Sequence, residues 1–183
     1  YENNRCAECG AEVVVDVEGA RGRRTSLEVR NDPDNYRVLH SRSGDQLAIW
    51  VEREFSLINR PHRGQLILRV PADADIRVQT STGDVRVRNI SSDRMEVDTS
   101  TGDVWIESVS TSLGVETSTG SVDILNAAGS FDVNTSTGDI LFRETSGDIT
   151  AESSTGKHGY ENVIGDLRAR STTGRIQIDD IQG

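Results

Sequence analysis

Aromatic residues make up only 4% of this chain and hydrophobic residues only 34%. Too little apolar volume is present to fill a thick globular core, yet valine and isoleucine recur too regularly for a disordered chain. No apolar run approaches the roughly 18 residues that a spanning helix needs, which argues against direct membrane insertion. No basic segment followed by an apolar one opens the sequence, so no signal peptide is read in it. Positive charge is short as well. Lys plus Arg is 20 against 30 for Asp plus Glu, a formal charge of −10. Phosphate would be repelled over most of such a surface, which argues against nucleic acid and against an anionic membrane face. Lys157 is the sole lysine. At 183 residues the chain makes one domain, or two small ones packed together.

The acidic excess sits in one part. From Tyr1 to Pro71 there are 11 basic and 11 acidic residues, whereas from Ala72 to Gly183 there are 9 and 19. The composition therefore shifts near Pro71, and residues 1–71 and 72–183 are expected to be organised differently.

The second part repeats. TSTGDV stands at Thr80–Val85 and again at Thr99–Val104, followed by TSTGSV, TSTGDI, SSTGKH and STTGRI. The glycines of these phrases are Gly83, Gly102, Gly120, Gly138, Gly156 and Gly174, spaced 19, 18, 18, 18 and 18. A second register lies midway, at Gly129, Gly147, Gly165 and Gly183. Equal spacing of this kind is the signature of a solenoid. Each half-repeat is read as one short strand and one tight corner, with glycine supplying positive φ or close backbone approach.

Between glycines the apolar positions alternate, as in a half-buried strand. Val85, Val104, Val122, Ile140, His158 and Ile176 form one column, and Val87, Ile106, Ile124, Phe142, Tyr160 and Ile178 the next. Stacked at about 4.8 Å per turn, these columns predict an all-β fold. It is a parallel two-sheet β-solenoid with about 18 residues per turn. Alternation also turns Thr80, Thr99, Thr117, Thr135, Ser153 and Ser171 inward at the core edge, as corner chemistry or as a hydroxyl ladder along the axis. Before Pro71, strand-like runs at Glu12–Val17, Ser26–Arg30, Tyr36–Leu39, Gln46–Arg53 and Gln65–Val70 are separated by turn-rich segments. They are expected to form β strands that cap or continue the solenoid.

The segment RVPADADIRVQTSTGDVRV at Arg69–Val87, with the iterated GDV and GDI turns after it, resembles the bacterial putative-adhesin β-solenoids, a domain family of unknown function. LEVRN at Leu27–Asn31 and SGDQLAIWVERE are similar to that family's looser N-terminal strands. The resemblance covers roughly Val13 to Gly183. It implies an extracellular or envelope-associated β-helix and assigns no catalytic residue. KHGY at Lys157–Tyr160 departs from the usual small-residue pattern.

Residue chemistry gives little else. Asp84, Asp103, Asp139, Asp148 and Asp166 follow glycine, but the series is broken at Ser121, Lys157 and Arg175, and the doubled glycine of calcium β-rolls is missing. Calcium and ice binding remain lesser alternatives. Cys6 and Cys9 form one CxxC knuckle, where a zinc site commonly takes two. A disulfide, free thiols, or half of a site shared between subunits stay open. A carbohydrate-active β-helix lyase or hydrolase is the rival class, but turns of constant length leave no loop to wall a pocket. No cofactor, metal site or catalytic residue is assigned.

Two surfaces are candidates for contact. Trp105, Leu125 and Leu141 are expected to point outward on one sheet face. Ile176, Ile178 and Ile181 stand in the last turn with no polar capping segment after them. The expected function is therefore a non-enzymatic, extracytoplasmic structural or adhesive module. Its expected partner is a further copy of itself, another envelope protein or a surface glycan.

Overall fold

The structure is a computed structural model and describes residues 12–20, 25–30, 36–43, 46–53 and 63–183. Five strands precede the repeats: β1 (Glu12–Ala20), β2 (Ser26–Arg30), β3 (Tyr36–Ser43), β4 (Gln46–Arg53) and β5 (Arg63–Pro71). The repeats hold β6 (Ile76–Thr82), β7 (Val85–Thr101), β8 (Val104–Thr119), β9 (Val122–Thr137) and β10 (Ile140–Ser146). They end with β11 (Ile149–Thr155), β12 (His158–Ile164), β13 (Leu167–Thr173) and β14 (Ile176–Gln182). No described residue lies in a helix.

The chain winds as a parallel β-solenoid, with turns numbered 1 to 6 here from Gly83, Gly102, Gly120, Gly138, Gly156 and Gly174. On one face, the first halves of β7, β8 and β9 pair in order and continue into β10, β12 and β14. On the other, β6 pairs the second half of β7, and the ladder runs through β8 and β9 to β11 and β13. Val85, Val104, Val122, Ile140 and His158 are each 1% exposed or less, as the alternation predicts. Turn 1 is the one with 19 residues, and its surplus residue is absorbed by a register shift between Ser91 and Arg94.

Glycine does not mark every bend. Six residues after each corner glycine stands a non-glycine residue with positive φ: Asn89, Ser108, Asn126, Glu144, Asn162 and Asp180, at 51° to 59°. This left-handed residue breaks the two-residue alternation, so the next side chain turns inward. Ile90, Val109, Ala127, Thr145 and Val163 thereby form a further buried column at the bend. Asparagine and aspartate tolerate this conformation better than other L residues, and four of the six positions hold one of them.

Before the repeats the topology changes. β1 lies between β5 and β7, with Val17 paired to Leu68 on one side and Val87 on the other. The strand that comes first in sequence is thus laid inside the ladder, and Val17 is 1% exposed. β2 pairs antiparallel to β5, and β3 and β4 make a separate antiparallel hairpin. These strands fall on the five runs expected from the sequence.

Candidate functional site

The corners are built from backbone contacts between turns. At Gly120, φ is +154°, and an added Cβ would stand 2.0 Å from the Gly102 carbonyl oxygen. Gly174 does not share the positive φ, but a Cβ there would stand 1.7 Å from the Gly156 oxygen. Close stacking is therefore common to both. Three of the aspartates after the glycines brace these corners. Asp84 Oδ1 accepts from the Asp103 N–H at 3.1 Å, Asp103 Oδ1 from Ser121 N–H at 2.8 Å, and Asp139 Oδ1 from Lys157 N–H at 2.7 Å. Each carboxylate thus holds the backbone of the next turn. Among the described residues no group of three or more His, Cys, Asp or Glu side chains is gathered for a metal.

The inward hydroxyls do not form a continuous ladder. Thr135 Oγ1 and Ser171 Oγ donate to corner carbonyls of Gly120 and Gly156, and only Ser153 reaches along the axis, to Ser171 Oγ at 3.3 Å. Thr99 and Thr117 hydroxyls are buried without a partner. The threonine pairs are also split, because Thr99, Thr117 and Thr135 are 6% exposed and cannot present a surface array.

One polar group lies in the core. His158 is 1% exposed, with Nε2 at 2.8 Å from Ser153 Oγ and Nδ1 at 3.1 Å from the Tyr160 hydroxyl. Tyr160 stacks on Phe142 at 5.7 Å between ring centroids. Burial holds the imidazole below its ordinary 6.5, against the opposite pull of the Asp139 carboxylate. Burial also pushes the Tyr160 phenol well above its usual range. His158 and Tyr160 are each 1% exposed, and their arrangement is that of a core packing rung.

The outward groups differ from one another. Trp105, Leu125 and Leu141 lie on one face, on turns 2, 3 and 4, each half-buried. They do not form a continuous apolar patch. Asp123 sits between Trp105 and Leu141 in the same column and is held by Arg143 Nη2 at 2.8 and 2.9 Å. The Arg86 guanidinium lies 4.5 Å from the Trp105 ring centre, and Leu141 Cδ1 occupies the space that a Gly159 side chain would take. Ile176 and Ile178 are 40% and 52% exposed on β14, and Ile181 is half-buried. Cys6 and Cys9 lie outside the described residues.

Two features are missing from the sequence-based reading. A groove of about 360 Å³ runs along the bend over turns 1 to 4, floored by Ile90, Val109 and Ala127. Its lining holds one carboxylate, Glu144. Just past it stands Ile164, the most exposed large hydrophobic residue described, at 58%. Aligning the turns would have found it, since Ser91, Ser110, Ala128, Ser146 and Gln182 fill the same column.

The Toastrack DUF4097 family model matches residues 15–183. The chain belongs to the Toastrack family. This Toastrack chain is also similar in structure to a "putative cell adhesion protein" from Clostridium sporogenes ATCC 15579, with 8% identity and a TM-score of 0.45. That likeness covers 92% of this chain and 89% of the other. No curated protein matches the chain.

Proposed function

We propose that this Toastrack chain is a non-enzymatic structural or adhesive module that works outside the cytoplasm, through its surface, by associating with further copies of itself. The observation that carries this reading is the contrast between an interior sealed turn by turn and Ile164, an outward isoleucine left 58% exposed beside an open groove floored by Ile90, Val109 and Ala127. Single exposed aliphatics are ordinary, but one that adjoins an apolar-floored groove, in a chain with so few apolar residues, favours contact. The groove at the bend is open and brings no pair of carboxylates together, which favours a binding surface over a glycosidase. Placement outside the cytoplasm is what the sequence resemblance implies.

Sedimentation velocity over a concentration series, from tens of micromolar upward, tests the association. The expected result is a mass that rises with concentration. A single-chain mass at every concentration contradicts it. Fractionation of the source cells tests the placement, and recovery in the cytoplasmic fraction contradicts it.

A further inference from the structure

The bend that carries the left-handed residues also carries a symmetric charge pattern. Five residues after each corner glycine, the outward column reads Arg88, Glu107, Leu125, Arg143, Glu161 along turns 1 to 5. Reversed, the same column reads Glu, Arg, Leu, Glu, Arg. Within turns 1 to 5 every charge then meets its opposite and leucine meets leucine, while Asp179, which continues the column on turn 6, falls opposite the partner's β1 rung. We propose that this edge is an isologous dimer interface, in which a second copy lies antiparallel with the two-fold axis over turn 3.

Several features agree on that register. In it Arg88 faces the partner's Glu161, and Glu107 faces the partner's Arg143. Arg143 holds Asp123 through Nη2 alone, so its other terminal nitrogen meets the partner. In the parallel column three residues further on, Ala128 falls on the axis and Ser110 faces the partner's Ser146. These small side chains allow close approach. Ile164 faces the partner's Ser91 and enters the groove beside Ile90, so the exposed isoleucine at one end of the edge fills the open floor at the other. Shifting the axis by half a turn is unfavourable in either direction. One shift sets Arg88 against Arg143, and the other sets Glu107 against Glu161. A parallel arrangement sets every charge against its like. Electrostatic complementarity thus selects one register out of several, and closure about a two-fold ends assembly at two chains.

Five turns at about 4.8 Å give an edge about 19 Å long between its outer turns. A strip of that length falls short of the ~800 Å² per partner usual in tight complexes. The dimer is therefore weak, and sedimentation must reach hundreds of micromolar to populate it.

This inference rests on the self-association proposed above and names its surface. The test uses the full chain with Cys6→Ser and Cys9→Ser, and new cysteines introduced into it. Ala128→Cys is expected to form a disulfide-linked dimer on mild oxidation, because the axis brings that residue to its own copy. Ser110→Cys alone is expected to remain uncrosslinked, whereas Ser110→Cys with Ser146→Cys crosslinks. Glu161→Arg is expected to weaken association about tenfold, and Arg88→Glu combined with it to restore association to within about threefold. Failure of Ala128→Cys to crosslink, or failure of the charge swap to restore association, overturns the inference. If the unaltered chain still associates in that case, self-association stands on another surface. If the unaltered chain stays single throughout, both readings fall.

Discussion

His158 Nε2 lies 2.8 Å from Ser153 Oγ, and this contact fixes the direction of a hydrogen-bonded chain through the core. Ser171 Oγ donates to the Gly156 carbonyl, and Ser153 Oγ donates to Ser171. Ser153 must then accept from His158, which places the proton on Nε2. Nδ1 is left as the acceptor for the Tyr160 hydroxyl at 3.1 Å. Each donor is used once, and the imidazole is neutral.

Acid should therefore loosen the fold. A second proton on His158 would make Nδ1 a donor and deprive the Tyr160 hydroxyl proton of its acceptor. The folded imidazole titrates below its ordinary 6.5, so the unfolded chain takes up its proton first as pH falls. The His158 contribution is complete above about pH 6.5 and declines as pH drops below it. His158→Leu should cost about 1–3 kcal/mol at pH 7.5, because the Tyr160 hydroxyl loses its acceptor. It should also flatten the stability profile between about pH 5 and 7. Urea unfolding of both proteins across that range checks this, and equal pH slopes would refute the neutral assignment.

The bend residues give a second prediction, with opposite signs at two positions. Glu144 holds φ at 52° without the side-chain advantage of asparagine. Glu144→Asn should stabilise the fold by about 0.5–1 kcal/mol. Asn126, at 51°, also donates from Nδ2 to Ser108 Oγ at 3.1 Å. Asn126→Ala should destabilise by about 1–2 kcal/mol, through left-handed strain and the lost bond. Shifts of the urea midpoint in the same direction for both variants would rule out this account.

The glycine register was legible because one residue type recurs at a fixed spacing, and stacked carbonyls at Gly102 and Gly120 explain why no other type serves. The bend six residues later was hidden because Asn89, Ser108, Glu144 and Asp180 share a backbone conformation and no single side chain. With it went the buried column of Ile90, Val109 and Ala127, whose spacing fits no simple alternation. The insertion of β1 between β5 and β7 is a long-range pairing that local pattern does not encode. Ile164 escaped notice because it looks like one more aliphatic until its column is compared turn by turn. Trp105 and Leu141 share one register column, and the Asp123–Arg143 pair between them depends on side-chain reach.

A corner glycine of this register and a mid-strand glycine outside it should respond in opposite ways. Gly120→Ala places Cβ 2.0 Å from a backbone oxygen at a positive φ, where neither turn can yield without losing ladder bonds. A loss of more than about 3 kcal/mol is expected, large enough to prevent folding of the chain. Gly114 lies within β8, and nothing stands within 4 Å of an added Cβ. Gly114→Thr should be neutral or stabilise by up to about 1 kcal/mol, since a branched residue suits a strand better. Thermal melts of the two proteins separate these outcomes. A folded, wild-type-like Gly120→Ala protein would contradict the stacked-corner geometry.

The aspartate braces give the last prediction, and it bears on calcium. Asp103 accepts from the Ser121 N–H at 2.8 Å, while its own N–H donates to Asp84 at 3.1 Å. Its carboxylate is thus already committed to the turn above. Asp103→Ala should cost about 1–2 kcal/mol by leaving the Ser121 N–H without its charged acceptor. Asp103→Asn should recover part of that loss, because an amide oxygen can accept the same bond. If the braces served a metal instead, millimolar calcium would raise the melting temperature and a chelator would lower it. With backbone amides as their partners, the melting temperature should be the same in both. A calcium-dependent rise, abolished by Asp103→Asn, would turn these corners from turn braces into metal ligands.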